Sequence, residues 1–120
     1  MKICVCGSRY WKDKNYVEDK LDKLLEYNED LSKITILQGG ATGVDAIAKA
    51  YAERRGISVV EYPADWDKLG KAAGPIRNEK MIADADIVVA FLQRGKENKG
   101  TKNALQCANR FKKTIFQYEN

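Results

Sequence analysis

The chain has 120 residues, 21 of them basic and 17 acidic, for a net charge of +4, with three cysteines, two prolines and no histidine. That length fits one domain, residues 1–120, which buries about two-thirds of its unfolded surface without covalent staples. The missing histidine removes Ser-His-Asp triads, Cys-His dyads, imidazole metal sites and imidazole acid/base chemistry together, so any reaction would have to use carboxylates, Lys, Arg, Tyr, Cys or backbone groups.

Lys2 to Cys6 reads as a short strand ending at Gly7, too brief an apolar run for a secretory signal, so a cytoplasmic location is expected. Nor does any apolar run approach the roughly 18 residues that cross a bilayer. Cys4 and Cys6 lie in this strand at C-x-C spacing, and Cys107 stands far away. The pattern fits neither a C-x-x-C redox motif nor a four-ligand zinc site, and the three read as small buried hydrophobes with no metal or cofactor expected. Tyr16 to Glu26 carries Val17, Leu21, Leu24 and Leu25 at helical spacing. Ile34 to Gln38 is a β-branched strand ending at Gly39-Gly40. A second helix follows through Val44, Ile47, Ala48 and Tyr51, and Gly56 closes it. Ile57 to Tyr62 is a third strand stopped by Pro63, and Ile76 to Ala83 a short helix entered through Pro75 in its first turn. Ile87 to Leu92 is the most apolar run and is expected mid-sheet, covered on both faces. Ala104, Leu105, Ala108 and Phe111 mark a last helical face, and Thr114 to Tyr118 a final strand.

Five strands alternating with four helices predict an α/β sandwich of three layers around a mainly parallel five-stranded sheet. Ligands of such sheets bind beyond the carboxyl ends of the strands. Gly39-Gly40-Ala41-Thr42-Gly43 lies between a strand and a helix. It is either an anion cradle built on free amides and a helix N-terminus or a tight turn that binds nothing. Asp45, in the first helical turn, would repel a phosphate placed on it, so its carboxylate is expected on a sugar hydroxyl or on backbone donors. Gly7-Ser8-Arg9 ends the first strand, and Arg9 would meet a phosphate or carboxylate, or form a surface ion pair. Arg77 and Asn78 sit at the short helix with donors aimed at the same edge. Trp66, after Asp65 in a loop, either stacks on a base or covers the end of the sheet. Gly100-Thr101 opens the last helix, as a second anion nest or with Thr101 as N-cap, and the charged stretch Lys96 to Lys102 reads as a flap or a solvated loop.

Taken in order, Gly7-Ser8-Arg9, Gly39-Gly40-Ala41-Thr42-Gly43-Val44-Asp45, Pro63-Ala64-Asp65-Trp66, Gly70, Ala73-Gly74, Arg77-Asn78 with Met81, Ala85-Asp86 and Gly100-Thr101 carry a resemblance that spans nearly the whole chain. The chain resembles the YspA-related (DUF2493) branch of the SLOG superfamily. The resemblance implies a Rossmann-like fold that binds nucleotides or nucleotide-derived ligands through the Gly-rich loop and neighbouring strand ends. The LOG phosphoribohydrolases of that superfamily have an Arg followed four residues later by Met, matched by Arg77 and Met81. They also have a Gly-Gly-x-Gly-Thr-x-x-Glu motif, of which Gly100-Thr101 is present while Ala104 stands at the Glu position. The Smf/DprA proteins, longer chains that bind single-stranded DNA, share the Gly-Ser-Arg start, a pattern like Gly39 to Asp45 and an Arg-Asn pair.

The leading expectation is binding without catalysis of a nucleotide-derived molecule, such as a signalling nucleotide of ADP-ribose or cyclic-nucleotide type, which the protein senses or sequesters. Gly39, Gly40 and Gly43 would supply amides, Arg9 and Arg77 would meet phosphate, Asp45 a ribose hydroxyl and Trp66 a base. One alternative is N-glycosidic hydrolysis of a nucleoside monophosphate with Glu79 or Asp65 in place of the missing Glu. The other is binding of single-stranded DNA, disfavoured by the modest charge and the lack of aromatics interleaved with Lys and Arg. A homo-oligomer, dimer or higher, is expected to complete the ligand site, with Tyr51, Phe116 and Tyr118 as contact residues.

Overall fold

A computed structural model describes residues 1–26 and 30–120. Along the chain run β1 (Lys2–Gly7), α1 (Lys14–Leu25), β2 (Thr35–Gln38), α2 (Val44–Arg55), β3 (Ser58–Glu61), a single-turn α3 (Trp66–Leu69), α4 (Ala73–Asp84), β4 (Ile87–Leu92), α5 (Lys99–Arg110) and β5 (Thr114–Glu119). The strands form one sheet in the order β3-β2-β1-β4-β5, and all four pairings are parallel.

The order follows from composition. The continuous apolar runs of β1 and β4 are buried on both faces and occupy interior positions, with Ile3 opposite Ile87 and Val5 opposite Val89. The more polar β3 and β5 lie at the edges and are largely exposed. The run Ile87–Leu92 is therefore interior as expected, while β1 takes the centre.

Alternation along each strand divides the core into two layers. Ile3, Val5, Ile36, Val89 and Phe91 face Val17 and Leu21 of α1 and Val44, Ala48 and Tyr51 of α2. Cys4, Cys6, Leu37, Val88 and Ala90 face Met81 and Ile82 of α4 and Ala104, Cys107 and Ala108 of α5. The three-layer Rossmann-like architecture is thus observed, with a sheet that is wholly rather than mainly parallel. The three cysteines are buried and unpaired, as small hydrophobes. Among the described residues no helix is long and apolar enough to cross a membrane.

Some boundaries differ from the sequence reading for identifiable reasons. Asp13 accepts the Tyr16 N–H at 3.1 Å and starts α1 two residues earlier than the apolar spacing indicates. Asp65 accepts the Lys68 N–H and nucleates α3, so Trp66 sits on a helical turn and not in a loop. The longer α4 begins at Ala73, which makes Pro75 its third residue, where a missing N–H leaves no intrahelical bond unmade. The last helix begins at Lys99 after Asn98, so Gly100 and Thr101 lie inside its first turn and Thr101 is not the N-cap. Tyr51 is 1% exposed, with its hydroxyl on Asp22 at 2.7 Å, and this burial removes it as an oligomer contact.

Candidate functional site

At the carboxyl end of β1 the backbone turns under α2 with no room for side chains. A Cβ on Gly7 would lie 2.6 Å from Val44 Cγ2 and 2.7 Å from the Phe91 carbonyl oxygen. Ser8 is buried and acts as a clip: its N–H donates to the Phe91 carbonyl at 3.1 Å and its Oγ donates to Gln93 Oε1 at 2.8 Å. The Ser8 carbonyl accepts the Val44 N–H at 3.2 Å. Gly43 takes φ +72, and a Cβ there would collide with that same carbonyl. Thr42 Oγ1 donates to the Arg9 carbonyl at 2.9 Å. Gly7, Ser8, Arg9, Thr42 and Gly43 are therefore in direct contact, as their clustering at strand ends implies.

The Gly-rich loop itself is engaged from within. The Gly40 N–H donates to Oε1 of Gln38, a side chain with no exposure at all, whose Nε2 donates to Glu61 Oε1 at 3.2 Å. The Ala41 N–H donates to Asp45 Oδ2 at 3.2 Å, and the Gly39 amide bonds the same carboxylate. Of the two expected places for the Asp45 carboxylate, backbone donors are the one observed. Burial raises its pKa from the ordinary 3.8 to about 6; the Ala41 amide, Arg77 and the Gly39 amide hold it from rising further.

Arg77 and Asn78 brace this loop. Arg77 Nη1 donates to the Gly39 carbonyl at 2.8 Å and to the Tyr62 carbonyl at 3.3 Å, and its Nε donates to Asn78 Oδ1 at 2.9 Å. Asn78 Nδ2 donates in turn to the Gly100 carbonyl at 3.2 Å and to Asn103 Oδ1 at 3.0 Å. Hydrogen bonds thus connect the end of β2, the start of α4 and the start of α5, with Thr101 buried beside Gly100. These groups meet at one edge, with Arg77 Nε and Nη1 and the Asn78 carboxamide bonded to protein.

The remaining predicted residues stand apart. Trp66 is 58% exposed, its ring 3.1 Å from where a Cβ on Gly74 would lie, and its link to the cluster is α4. Asp65 caps α3. Glu79 pairs at 3.4 Å with Arg110 near the far end of α5. Ala104 is packed into the core layer between α5 and the sheet, where a carboxylate would be buried. Arg9 makes no surface ion pair among the described residues: its Nη2 donates to Tyr10 Oη at 2.9 Å.

Tyr10, Lys12 and Asn120 went unread in the sequence as site residues, and Lys96 was read only as part of a flap or solvated loop. A cleft of about 600 Å³ opens between the loops that follow β1 and β4, where strand order reverses, and Tyr10, Lys12, Gln93, Lys96 and Asn120 join Arg9 along its walls. Position directly after the Gly7-Ser8-Arg9 turn was the available signal for Tyr10 and Lys12. The Lys96 to Lys102 stretch divides: Asn98 folds the loop shut, accepting the Gln93 N–H at 3.0 Å and donating to the Gln93 and Lys96 carbonyls, and the rest is helix. Among the described residues no group of three or more Cys, Asp or Glu side chains is placed to hold a metal ion.

The fold and sequence have known counterparts. The "Gene 61 protein" of Mycobacterium phage D29 is 36% identical over 96 residues, 75% of each chain. The crystal structure of TM1055 matches 95% of this chain and 71% of its own at a TM-score of 0.67 and 18% identity. That of DNA processing protein A (DprA) from Streptococcus pneumoniae matches 98% of this chain at a TM-score of 0.60 and 15% identity, and this chain spans 58% of its length. The model of the YspA, cpYpsA-related SLOG family matches residues 1–69, which include β1, the Gly-rich loop and α2. The chain belongs to the YspA, cpYpsA-related SLOG family.

Proposed function

We propose that this protein binds a nucleotide or nucleotide-derived small molecule along the carboxyl edge of its sheet and holds it without breaking it, as a sensor or sequestering protein for a signalling nucleotide of ADP-ribose or cyclic-nucleotide type. The observation that carries the reading is the cleft at the reversal of strand order, of a size suited to a small molecule, with the Arg9 guanidinium on its wall. Beside it the Ser8 clip, bonded to Gln93, and the Gly43 turn packed against Ser8 and Arg9 give close-packed support, the kind that keeps ordering costs of binding low. Thr42, Gly43 and the start of α2 border the ligand in this reading, whereas Trp66, on Gly74, lies away from the cleft.

The absence of catalysis is supported by the same geometry. Asp65 serves as a helix cap, Glu79 forms an outward ion pair, and the position of a relative's Glu is the buried Ala104. The test is a thermal-shift and calorimetry panel of nucleoside mono- and diphosphates, cyclic nucleotides and ADP-ribose, with chromatography for released base. One panel member present at 100 times its dissociation constant should raise the melting temperature by on the order of 10 °C, with no base released. No binding at millimolar ligand would overturn the reading, and base release that persists through purification to homogeneity would replace it with the hydrolytic one.

A further inference from the structure

The charged part of such a ligand has two candidate seats at the carboxyl edge, the Gly-rich loop and the cleft beside it. The amides of Gly39, Gly40 and Ala41 already have acceptors in Asp45 and Gln38, and a phosphate over Gly39 and Ala41 would meet the Asp45 carboxylate. Arg77 is directed at two backbone carbonyls and at Asn78. Three other cations line the cleft between the β1 and β4 loops: Arg9, Lys12 and Lys96. None of the three has a carboxylate partner among the described residues. The Asp13 carboxylate, also at the cleft, is turned to the Tyr16 N–H as the cap of α1.

Three cations beside one carboxylate side chain leave an excess of positive charge, which in a concave site favours an anion. Tyr10 brings two of them, Arg9 and Lys96, together. The Arg9 guanidinium lies 5.0 Å and the Lys96 ammonium 4.7 Å from the centroid of its half-exposed ring, the cation–π attraction offsetting part of the repulsion between them. Gln93 adds a neutral donor: Ser8 holds its carboxamide by the oxygen, which leaves the NH2 as the group for a ligand. The space of about 600 Å³ exceeds what one phosphate fills, and two linked phosphates span more of its three cations than one does.

We propose that this cleft binds the diphosphate group of the ligand, with Arg9, Lys12 and Lys96 as its counter-charges and the Gln93 NH2 as an orienting donor, and that the Gly-rich loop serves as supporting floor. The proposal rests on the nucleotide reading above and narrows it to nucleotides that carry two linked phosphates.

The probes are ADP-ribose, AMP, inorganic pyrophosphate and sulfate, titrated by calorimetry into the full chain, with two-dimensional amide NMR to locate each. ADP-ribose and pyrophosphate should bind at least tenfold more tightly than AMP or sulfate, and shift the amides of residues 9–13 and 93–96 most. Lys12→Gln and Lys96→Gln, at exposed positions that leave the fold intact by circular dichroism, should each weaken ADP-ribose binding about tenfold. Unchanged ADP-ribose affinity in both variants, or shifts centred on residues 39–45, overturns the diphosphate cleft and leaves the nucleotide reading standing. Pyrophosphate binding in the cleft with no nucleotide binding upholds the anion site and overturns the nucleotide reading. Equal affinity for sulfate and pyrophosphate, or no binding by any probe, overturns the proposal.

Discussion

Asp45 carries an unusual burden for a carboxylate that is 7% exposed. Its pKa of about 6 in the folded chain, against an ordinary 3.8, means that between these values the folded state keeps a proton that the unfolded state has released. That contribution is complete below about pH 4 and is lost as the pH rises through about 6, a change on the order of 3 kcal/mol for two pKa units. Asp45→Asn keeps an oxygen for the Ala41 and Gly39 amides and removes the charge. The variant is therefore expected to gain stability over the parent between pH 4 and 7, read as a widening difference in urea midpoints; parallel curves would refute this. Gly43 tests the neighbouring turn. Gly43→Ala adds strain at φ +72 and a clash with the Ser8 carbonyl, and should cost about 2–4 kcal/mol in the same titration. The glycine pattern Gly39-Gly40-x-x-Gly43 was legible in the sequence because glycines at a strand-to-helix junction have a physical reason to be there. The occupant of the amides was not legible. It depends on Gln38 being fully buried at the end of β2 and folding back onto its own loop, which no local pattern encodes.

Among the elements, the joints outside regular structure decide how the site is held. Asn98 has φ +53 and precedes α5 without capping it by its side chain, which instead closes the loop from Gln93 to Lys96 with three hydrogen bonds. Asn98→Ala should release that loop at a cost of about 1–2 kcal/mol in local opening, seen as faster amide exchange at residues 93–97, while exchange in β4 is unchanged. Equal acceleration in β4 would show that the loop and strand open as one unit. The four long helices were readable from apolar spacing, since each buries a stripe against one face of the sheet. The single turn of α3 was not, because four residues carry no periodicity and it exists through the Asp65 cap and the Trp66 contact on Gly74. Of the candidate cleft, the loops after β1 and β4 were legible as lying at one edge, since all strands run parallel. The cleft depends on Lys96 approaching Tyr10 from a loop 86 residues later, a proximity that only the β1–β4 pairing creates.

For the molecule as a whole, a parallel sheet with helices on both faces leaves two exposed edges, β3 and β5. On β5, Phe116 is 39% exposed and Tyr118 stacks on Phe91 at 5.4 Å, so the outer edge is partly apolar. Association through that edge is how a homo-oligomer of this chain would form, with Phe116 in place of the buried Tyr51 as its contact. Phe116→Lys is then expected to shift sedimentation of the protein toward the monomer with no loss of secondary structure. A parent that sediments as a monomer, or a variant that stays associated, would count against this interface. The division of the core into two layers has a further consequence. Cys4, Cys6 and Cys107 all belong to the layer under α4 and α5, and none to the layer under α1 and α2. Alkylating reagents should therefore find the folded protein inert, and the hydrogen bond with Cys6, together with burial, reinforces this by pushing the Cys4 thiol up in pKa. The rate at which thiols become reactive under increasing denaturant then reports the opening of one layer alone. Compared with Trp11 fluorescence from the other layer, it would reveal whether the two halves of the core separate from the sheet together or in turn.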